Sequence, residues 1–224
     1  MADSVWPVNP PADARTQLLG LVACCSLSAF EQTASASARA PQVEQKLVLA
    51  RLAAQRFSHL GRLEQALAAQ GVSVADAMQD FVAPVDAFTQ HTQPRDWGQA
   101  LVKLCVVGGL VADFAAAAGP NLKPAEREIL LGSIDDGELS QEPGQMLAQV
   151  LQSDPEGTGA LALYGRRLLG EALSQVQRIS ASRPELTQAL TGQHDGRDLA
   201  AMGDLMAGLS LGHARRMEQL GLQQ

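Results

Sequence analysis

The stretch Ala100–Ala118, ALVKLCVVGGLVADFAAAA, is the most apolar segment of the chain. Its length is at the lower limit for crossing a bilayer. It carries two charged residues, Lys103 and Asp113, which are costly to place in lipid. Alanine and leucine, which are strong helix formers, supply much of its apolar mass. We therefore expect a buried central helix rather than a transmembrane helix.

The composition of the whole chain also favours helices. Of its 224 residues 46% are hydrophobic, but only five are Phe, two are Trp and one is Tyr. Few residues outside Val are β-branched, which disfavours a strand-rich sandwich or barrel. The net charge of −7 disfavours non-specific binding to nucleic acid, which relies on clustered Lys and Arg. The length is sufficient to bury a sizeable core.

Capping residues and breakers predict where the helices lie. We expect a flexible arm over residues 1–12 and a single helical domain over residues 13–222. The first predicted helices run from Asp13, as N-cap, to about Arg39; from about Gln42 to Gln70, closed by Gly71; from Ser73 to His91, interrupted by Pro84; and from about Pro94 to Ala118. The next starts near Pro124, is broken around Glu142-Pro143-Gly144 and is separated by Asp154-Pro155 from a helix over Ala160 to about Ser182. The last runs from near Asp198 to Leu220.

No segment alternates with period two, and we interpret the neighbours of Asp136-Gly137 as helical. The predicted fold class is all-α: an antiparallel four-helix bundle with one or two additional packed helices. Gly108-Gly109 follows no strand and precedes no Lys-Ser/Thr, so it is not a phosphate loop. We expect it to allow another helix to approach closely.

Cys24, Cys25 and Cys105 form neither a CxxC pair nor the spacing of a disulfide scaffold. Reduced thiols in a cytoplasmic protein are the natural interpretation. The acidic, proline-rich N-terminus lacks the regions of a signal peptide. We expect a cytoplasmic location and no membrane association.

Polar residues interrupt the apolar stripes of several predicted helices, as their three- and four-residue spacing shows. The second helix has the stripe Leu49, Leu52, Arg56, His59, Leu63 and Leu67. In the first and third helices, similar stripes place Glu31 and Asp113 toward the interior. Asp135 and Glu138 are expected on one side of the fourth helix.

A carboxylate buried in an apolar helix is costly unless it is paired or binds a metal. In one interpretation, Arg56 neutralises Glu31 and Asp113, and His59 hydrogen-bonds within the same network. In the other, carboxylates and imidazoles converge from four helices on a dinuclear metal site. The residues alone leave both interpretations open.

Several blocks carry a resemblance that extends from about residue 15 to residue 222. They are Leu27–Glu31, Arg56–His59, Phe81–Phe88, Gly109–Phe114, Gly165–Gln175 and His213–Met217. Together they resemble the actinobacterial ferritin-like proteins, which are similar to tRNA 2-methylthio-isopentenyladenosine hydroxylases. The resemblance implies a ferritin-like bundle with a dinuclear iron site.

The family's ligands are a Glu, a Glu-x-x-His, an acid and an acid-x-x-His on successive helices. Glu31 matches the first and His59 the histidine of the second, but Arg56 replaces the expected Glu. Asp113 can serve as the third acid. In the fourth motif Asp135 is the acid, and Glu138 replaces the imidazole. Because a guanidinium would repel nearby dications, we expect a degenerate site with no metal or a single weakly bound one.

Three functions follow as hypotheses. The leading one is a binding or structural module without oxygenase activity, which forms a homodimer. The alternative is an iron- or manganese-dependent hydroxylase that uses Glu31, His59, Asp113, Asp135 and Glu138 as metal ligands. Only that alternative involves tRNA, and the acidic charge argues against it. The third is a metal-free protein that binds a small apolar ligand along the bundle axis.

Overall fold

A computed structural model describes residues 13–183, 186–187, 190 and 198–223 of the chain. These residues form helices and connecting turns, with no strand among them. The predicted all-α class is therefore confirmed. The predicted arm, residues 1–12, lies outside the described residues. The helices are α1 (Ala14–Arg39), α2 (Val43–Ala68), α3 (Val74–His91), α4 (Trp97–Ala118), α5 (Pro124–Gly132), α6 (Glu142–Ser153), α7 (Thr158–Ser182) and α8 (Asp198–Gln219).

Local signals explain most of the helix ends. The carboxylate of Asp13 accepts a hydrogen bond from the amide of Thr16 at 2.7 Å and so caps α1, as predicted. Gly71 follows α2 with φ of 75°, the left-handed conformation that glycine adopts without strain. Helix α3 continues through Pro84, where an interruption was predicted. The proline removes one backbone hydrogen bond without ending this helix.

The prediction that the helix starting near Pro124 continues to about Glu142 before it is broken is wrong. Helix α5 ends at Gly132, and a turn follows before short 3-10 (Gly137–Gln141) and α-helical (α6) segments. Gly137 has φ of 54°, which an α-helix does not allow. The Asp136-Gly137 pair is thus a genuine turn signal. Asp135 lies in the loop before it and Glu138 in the 3-10 turn, not on one helix.

Four helices close a ring: α1 packs against α3 and α4, and α7 also packs against α3 and α4. Helix α2 lies against α1 and α3, while α6 and α8 lie against α4. One cluster of buried apolar side chains is centred on α4, α6 and α7, and a second is centred on α1, α2 and α3. Phe114 and Leu205 pack against both clusters.

Two helices, α1 and α4, are long and apolar enough to span a membrane by length and composition. Within the most apolar window of each, 50% of α1 and 44% of α4 is buried in the structure. Helix α4 packs against α1, α6, α7 and α8 and so occupies the central position that was predicted for it. Core helices pass the same test of length and composition.

Candidate functional site

The Arg56 side chain lies inside the protein, where the helical stripe of α2 predicted it. All six residues of that stripe are buried: Leu49, Leu52, Arg56, His59, Leu63 and Leu67. The Arg56 Nε donates a hydrogen bond to Asp136 Oδ2 at 2.8 Å, and its Nη1 donates to Thr33 Oγ1 at 2.7 Å. Only 10% of each of the Arg56 and Asp136 side chains is exposed. The guanidinium is therefore held by a loop carboxylate and a hydroxyl of α1.

Thr33 presents an oxygen to Arg56 because its own hydroxyl proton is used elsewhere. Its Oγ1 donates to the carbonyl oxygen of Ala29, one turn earlier in α1, at 2.6 Å. Glu31, by contrast, is exposed. The predictions that Glu31 faces the interior and that Arg56 neutralises it are therefore wrong. Between Glu31 and Thr33 the helix turns by about 200°, which carries the carboxylate away from Arg56.

His59 lies one turn after Arg56 and is also buried. Its Nδ1 is 3.7 Å from Asp136 Oδ1, too far for a hydrogen bond. Burial lowers the pKa of His59 below its usual value of 6.5, although the carboxylate of Asp136 opposes this shift. The imidazole is therefore neutral at pH 7, and Arg56 is the cation that balances Asp136.

Asp113 does not pair with Arg56, which corrects the second part of the predicted network. Its Oδ2 accepts a hydrogen bond from Arg216 Nη2 of α8 at 2.8 Å, and its side chain is 34% exposed. Two glycines make room for this pair. A Cβ atom on Gly109 would lie 1.8 Å from Arg216 Nε, and one on Gly212 would lie 2.4 Å from Asp113 Oδ2. Gly109 thus allows the close approach of α8 that was expected.

Asp135 and Glu138 are both exposed. The Asp135 side chain accepts a hydrogen bond from the amide of Gly137 at 2.9 Å and so stabilises the turn. The neighbouring residue, Asp136, is the one that reaches Arg56 and His59. Asp135 and Glu138 therefore do not reach Arg56 or His59, and the adjacent carboxylate of Asp136 does.

Within the part of the chain that the structure describes, the predicted ligands do not converge as a dinuclear metal centre would require. Of the five predicted ligands, Glu31, Asp135 and Glu138 are exposed, while Asp113 is bound to Arg216. Across the described part of the chain, no group of three or more His, Cys, Asp or Glu side chains is placed to hold a metal ion. His59 and Asp136 do lie together, but the cation beside them is the guanidinium of Arg56.

A cavity of about 740 Å³ opens beside this cluster. It lies between α1, α2, α4, α8 and the segment that joins α5 to α6. Its polar lining residues include Arg56, His59, Lys103, Asp135, Asp136 and Arg216. This volume falls in the range of pockets that hold small organic ligands, about 300–1,000 Å³.

Lys103 lies at the edge of this cavity, although only 2% of the residue is exposed. Its Nζ donates to the carbonyl oxygens of Thr92 at 3.1 Å and Thr89 at 3.5 Å, and lies 5.5 Å from the centre of the Phe88 ring. Burial lowers the pKa of Lys103 to about 8. The contacts with Thr89 and Thr92 tie the end of α3 to α4.

A second, apolar cavity of about 140 Å³ lies within the ring of α1, α3, α4 and α7. Its walls include Leu21, Val85, Phe88, Leu110, Phe114 and Ile179. Four residues line both cavities: Cys25, Gln32, Val107 and Val111. The two cavities are therefore neighbours on either side of the contact between α1 and α4.

Sequence comparison identifies the family but no characterised relative. The chain matches no curated protein. The family described as "Ferritin-like domain, actinomycetes" matches residues 12–193, which include α1 to α7 and the Arg56 cluster. Helix α8, with Arg216, lies beyond the matched segment. Since the match covers well over half of the chain, this protein belongs to the actinomycete ferritin-like domain family.

Proposed function

We propose that this protein is a cytoplasmic binding module in which the dinuclear metal site of ferritin-like enzymes has degenerated and oxygenase activity has been lost. One observation carries the proposal. The resemblance places a ligand carboxylate at residue 56, and the side chain there is a buried guanidinium, paired with Asp136 and Thr33. A fixed positive charge disfavours a dication a few ångströms away in a medium of low dielectric.

The large cavity beside Arg56 supports a binding role rather than a purely structural one. A protein that only filled a structural role would gain stability by closing such a space. Here the space is lined by buried charged side chains, which are costly to keep beside a cavity. All three cysteines are free thiols, the state that a cytoplasmic location favours.

Metal analysis tests this proposal. The protein is produced with iron or manganese in the medium and purified without chelators, and its metal content and absorption spectrum are then measured. We expect less than one metal ion per chain and no absorption band from an oxo-bridged iron pair. Two iron ions per chain with that band would overturn the proposal and favour the hydroxylase alternative.

A further inference from the structure

Two guanidinium groups from distant parts of the chain lie beside the same turn of α4. Arg56 comes from α2 and Arg216 from α8, and both line the larger cavity. A Cβ atom on Gly108 would lie 3.6 Å from Arg56 Nη2, while one on Gly109 would lie 1.8 Å from Arg216 Nε. Gly109 is therefore required for the approach of Arg216, whereas Arg56 lies at an ordinary contact distance from the position of a Cβ on Gly108.

These two side chains have more hydrogen-bond donors than their hydrogen bonds to the described residues use. A guanidinium has five N–H groups. Arg56 uses Nε and Nη1, and Arg216 uses Nη2. The Nη1 of Arg216 is buried and has no hydrogen-bond partner among the described residues. Among the acceptors, Asp136 Oδ1 is buried and has no hydrogen-bond partner among the described residues. Donors exceed acceptors, so the cavity favours a ligand rich in acceptors.

The charge of the lining disfavours a ligand that carries more than one negative charge. Arg56, Lys103 and Arg216 contribute three positive charges, and Asp135 and Asp136 contribute two negative ones, with His59 neutral. Asp113 pairs with Arg216 from outside the lining and brings the sum to zero when it is included. With or without Asp113 in the sum, the net charge of the lining suits a carboxylate better than a phosphate dianion. A carboxylate also matches the planar, forked donors of an arginine.

The rest of the wall is apolar. Leu104, Val107, Val111, Ile134 and Leu220 line the same cavity. A fully polar ligand would leave these side chains against water or unpaired polar groups. The apolar cavity beyond Val107 and Val111 is close in size to the roughly 150 Å³ apolar cavities that accept a benzene-sized molecule.

We propose that the larger cavity binds a small monocarboxylic acid with an apolar body, and that Arg56 and Arg216 receive its carboxylate. The inference rests on the proposed function, because it requires the space beside Arg56 to be free of a metal pair. It goes beyond that function by naming the chemical class of the ligand.

Titration calorimetry with hexanoate, octanoate and decanoate tests the proposal on the full chain. We expect affinity to rise by about fourfold for each added methylene until the apolar walls are filled. Octanol, which lacks the charge, and inorganic phosphate, which lacks the apolar body, are expected not to compete. Binding of octanol or phosphate as tight as that of octanoate would overturn the proposal.

Variants of adjacent residues supply matched controls. Arg216→Gln is expected to weaken octanoate binding by about tenfold to a hundredfold, the value of a hydrogen bond to a charged group. Arg215→Gln, at the exposed neighbouring position, should leave it unchanged. Gly109→Ala, which displaces the Arg216 guanidinium, should weaken binding as well. Equal affinities of the Arg216 and Arg215 variants would contradict the assignment.

The failure of this inference is distinguishable from that of the proposed function. A metal-poor protein that does not bind octanoate overturns the inference and leaves the proposed function standing. Two iron ions per chain contradict the proposed function, whatever octanoate does.

Discussion

The Nε of Arg56 and the Oδ2 of Asp136 are 2.8 Å apart, and the two residues are separated by 80 positions in the chain. This contact joins the middle of α2 to the turn between α5 and α6. It places an ion pair of a guanidinium and a carboxylate in the interior of the protein. The neighbouring His59 is left neutral and without a hydrogen bond to Asp136.

Removing the charge of Arg56 should strongly destabilise the protein. Arg56→Gln leaves the Asp136 carboxylate buried without a cation, which typically costs about 3–5 kcal/mol. The double variant Arg56→Gln, Asp136→Asn should recover part of that loss, because no buried charge remains. Urea unfolding of the four proteins in this cycle measures the coupling. Strictly additive losses would show that the pair contributes nothing beyond its separate members.

Reversing the charge should create a metal site. Arg56→Glu places a carboxylate beside His59 and Asp136, which supplies three donors suited to a divalent transition metal. We expect its affinity for Mn²⁺ or Zn²⁺ to exceed that of the wild type by at least about tenfold, which corresponds to roughly 1.4 kcal/mol of binding free energy. Arg56→Met removes the same positive charge but adds no ligand and serves as the control. Equal affinities in both variants would contradict the prediction.

Gly20 marks the closest approach of α1 and α3. A Cβ atom there would lie 2.1 Å from the backbone oxygen of Ala77, which cannot move independently of its helix. We expect Gly20→Ala to lower the free energy of unfolding by about 1–3 kcal/mol or more. Gly61→Ala, within α2 and with open space around it, should instead raise it by about 0.5–1 kcal/mol. Thermal unfolding of both variants checks the contrast in sign.

Mild acid should destabilise the protein through two buried histidines. Burial lowers the pKa of His59 and of His213 below 6.5, and the Arg216 guanidinium lowers that of His213 further. Below about pH 6.5 the unfolded state therefore binds more protons than the folded state, and stability falls as the pH falls. Urea unfolding at a series of pH values measures the slope. His213→Leu should reduce it, and an unchanged slope would exclude His213 as a contributor.

Alkaline conditions should destabilise the protein through its thiols. Burial raises the pKa of Cys24 to about 11 and those of Cys25 and Cys105 to about 12. Above about pH 9 the unfolded thiols lose protons that the folded protein retains, so stability falls as the pH rises. Lys103, with its pKa lowered to about 8, acts in the opposite direction between pH 8 and 10.5.

Replacing all three cysteines by alanine separates the two effects. The variant should lose most of the decrease in stability at alkaline pH. Its stability should instead rise between about pH 8 and 10, because the folded state releases the Lys103 proton in this range while the unfolded state retains it. Unfolding under reducing conditions across this range provides the measurement. A variant that still loses stability as steeply as the wild type would show that other groups dominate.

Sequence by itself determined the all-α class, the ends of several helices and the inward face of α2. Capping at Asp13, the left-handed Gly71 and the stripe through Leu49, Arg56 and His59 all depend on residues within one or two turns of each other.

Only the tertiary structure decided the partners. Helical periodicity predicts which face of a helix is apolar, but not how that helix is rotated against its neighbours or which loop covers it. Arg56 therefore meets Thr33 and Asp136 instead of Glu31, and Asp113 meets Arg216 instead of Arg56. A buried ion pair depends on contacts within about 3 Å between segments far apart in the chain, and such contacts are set by packing.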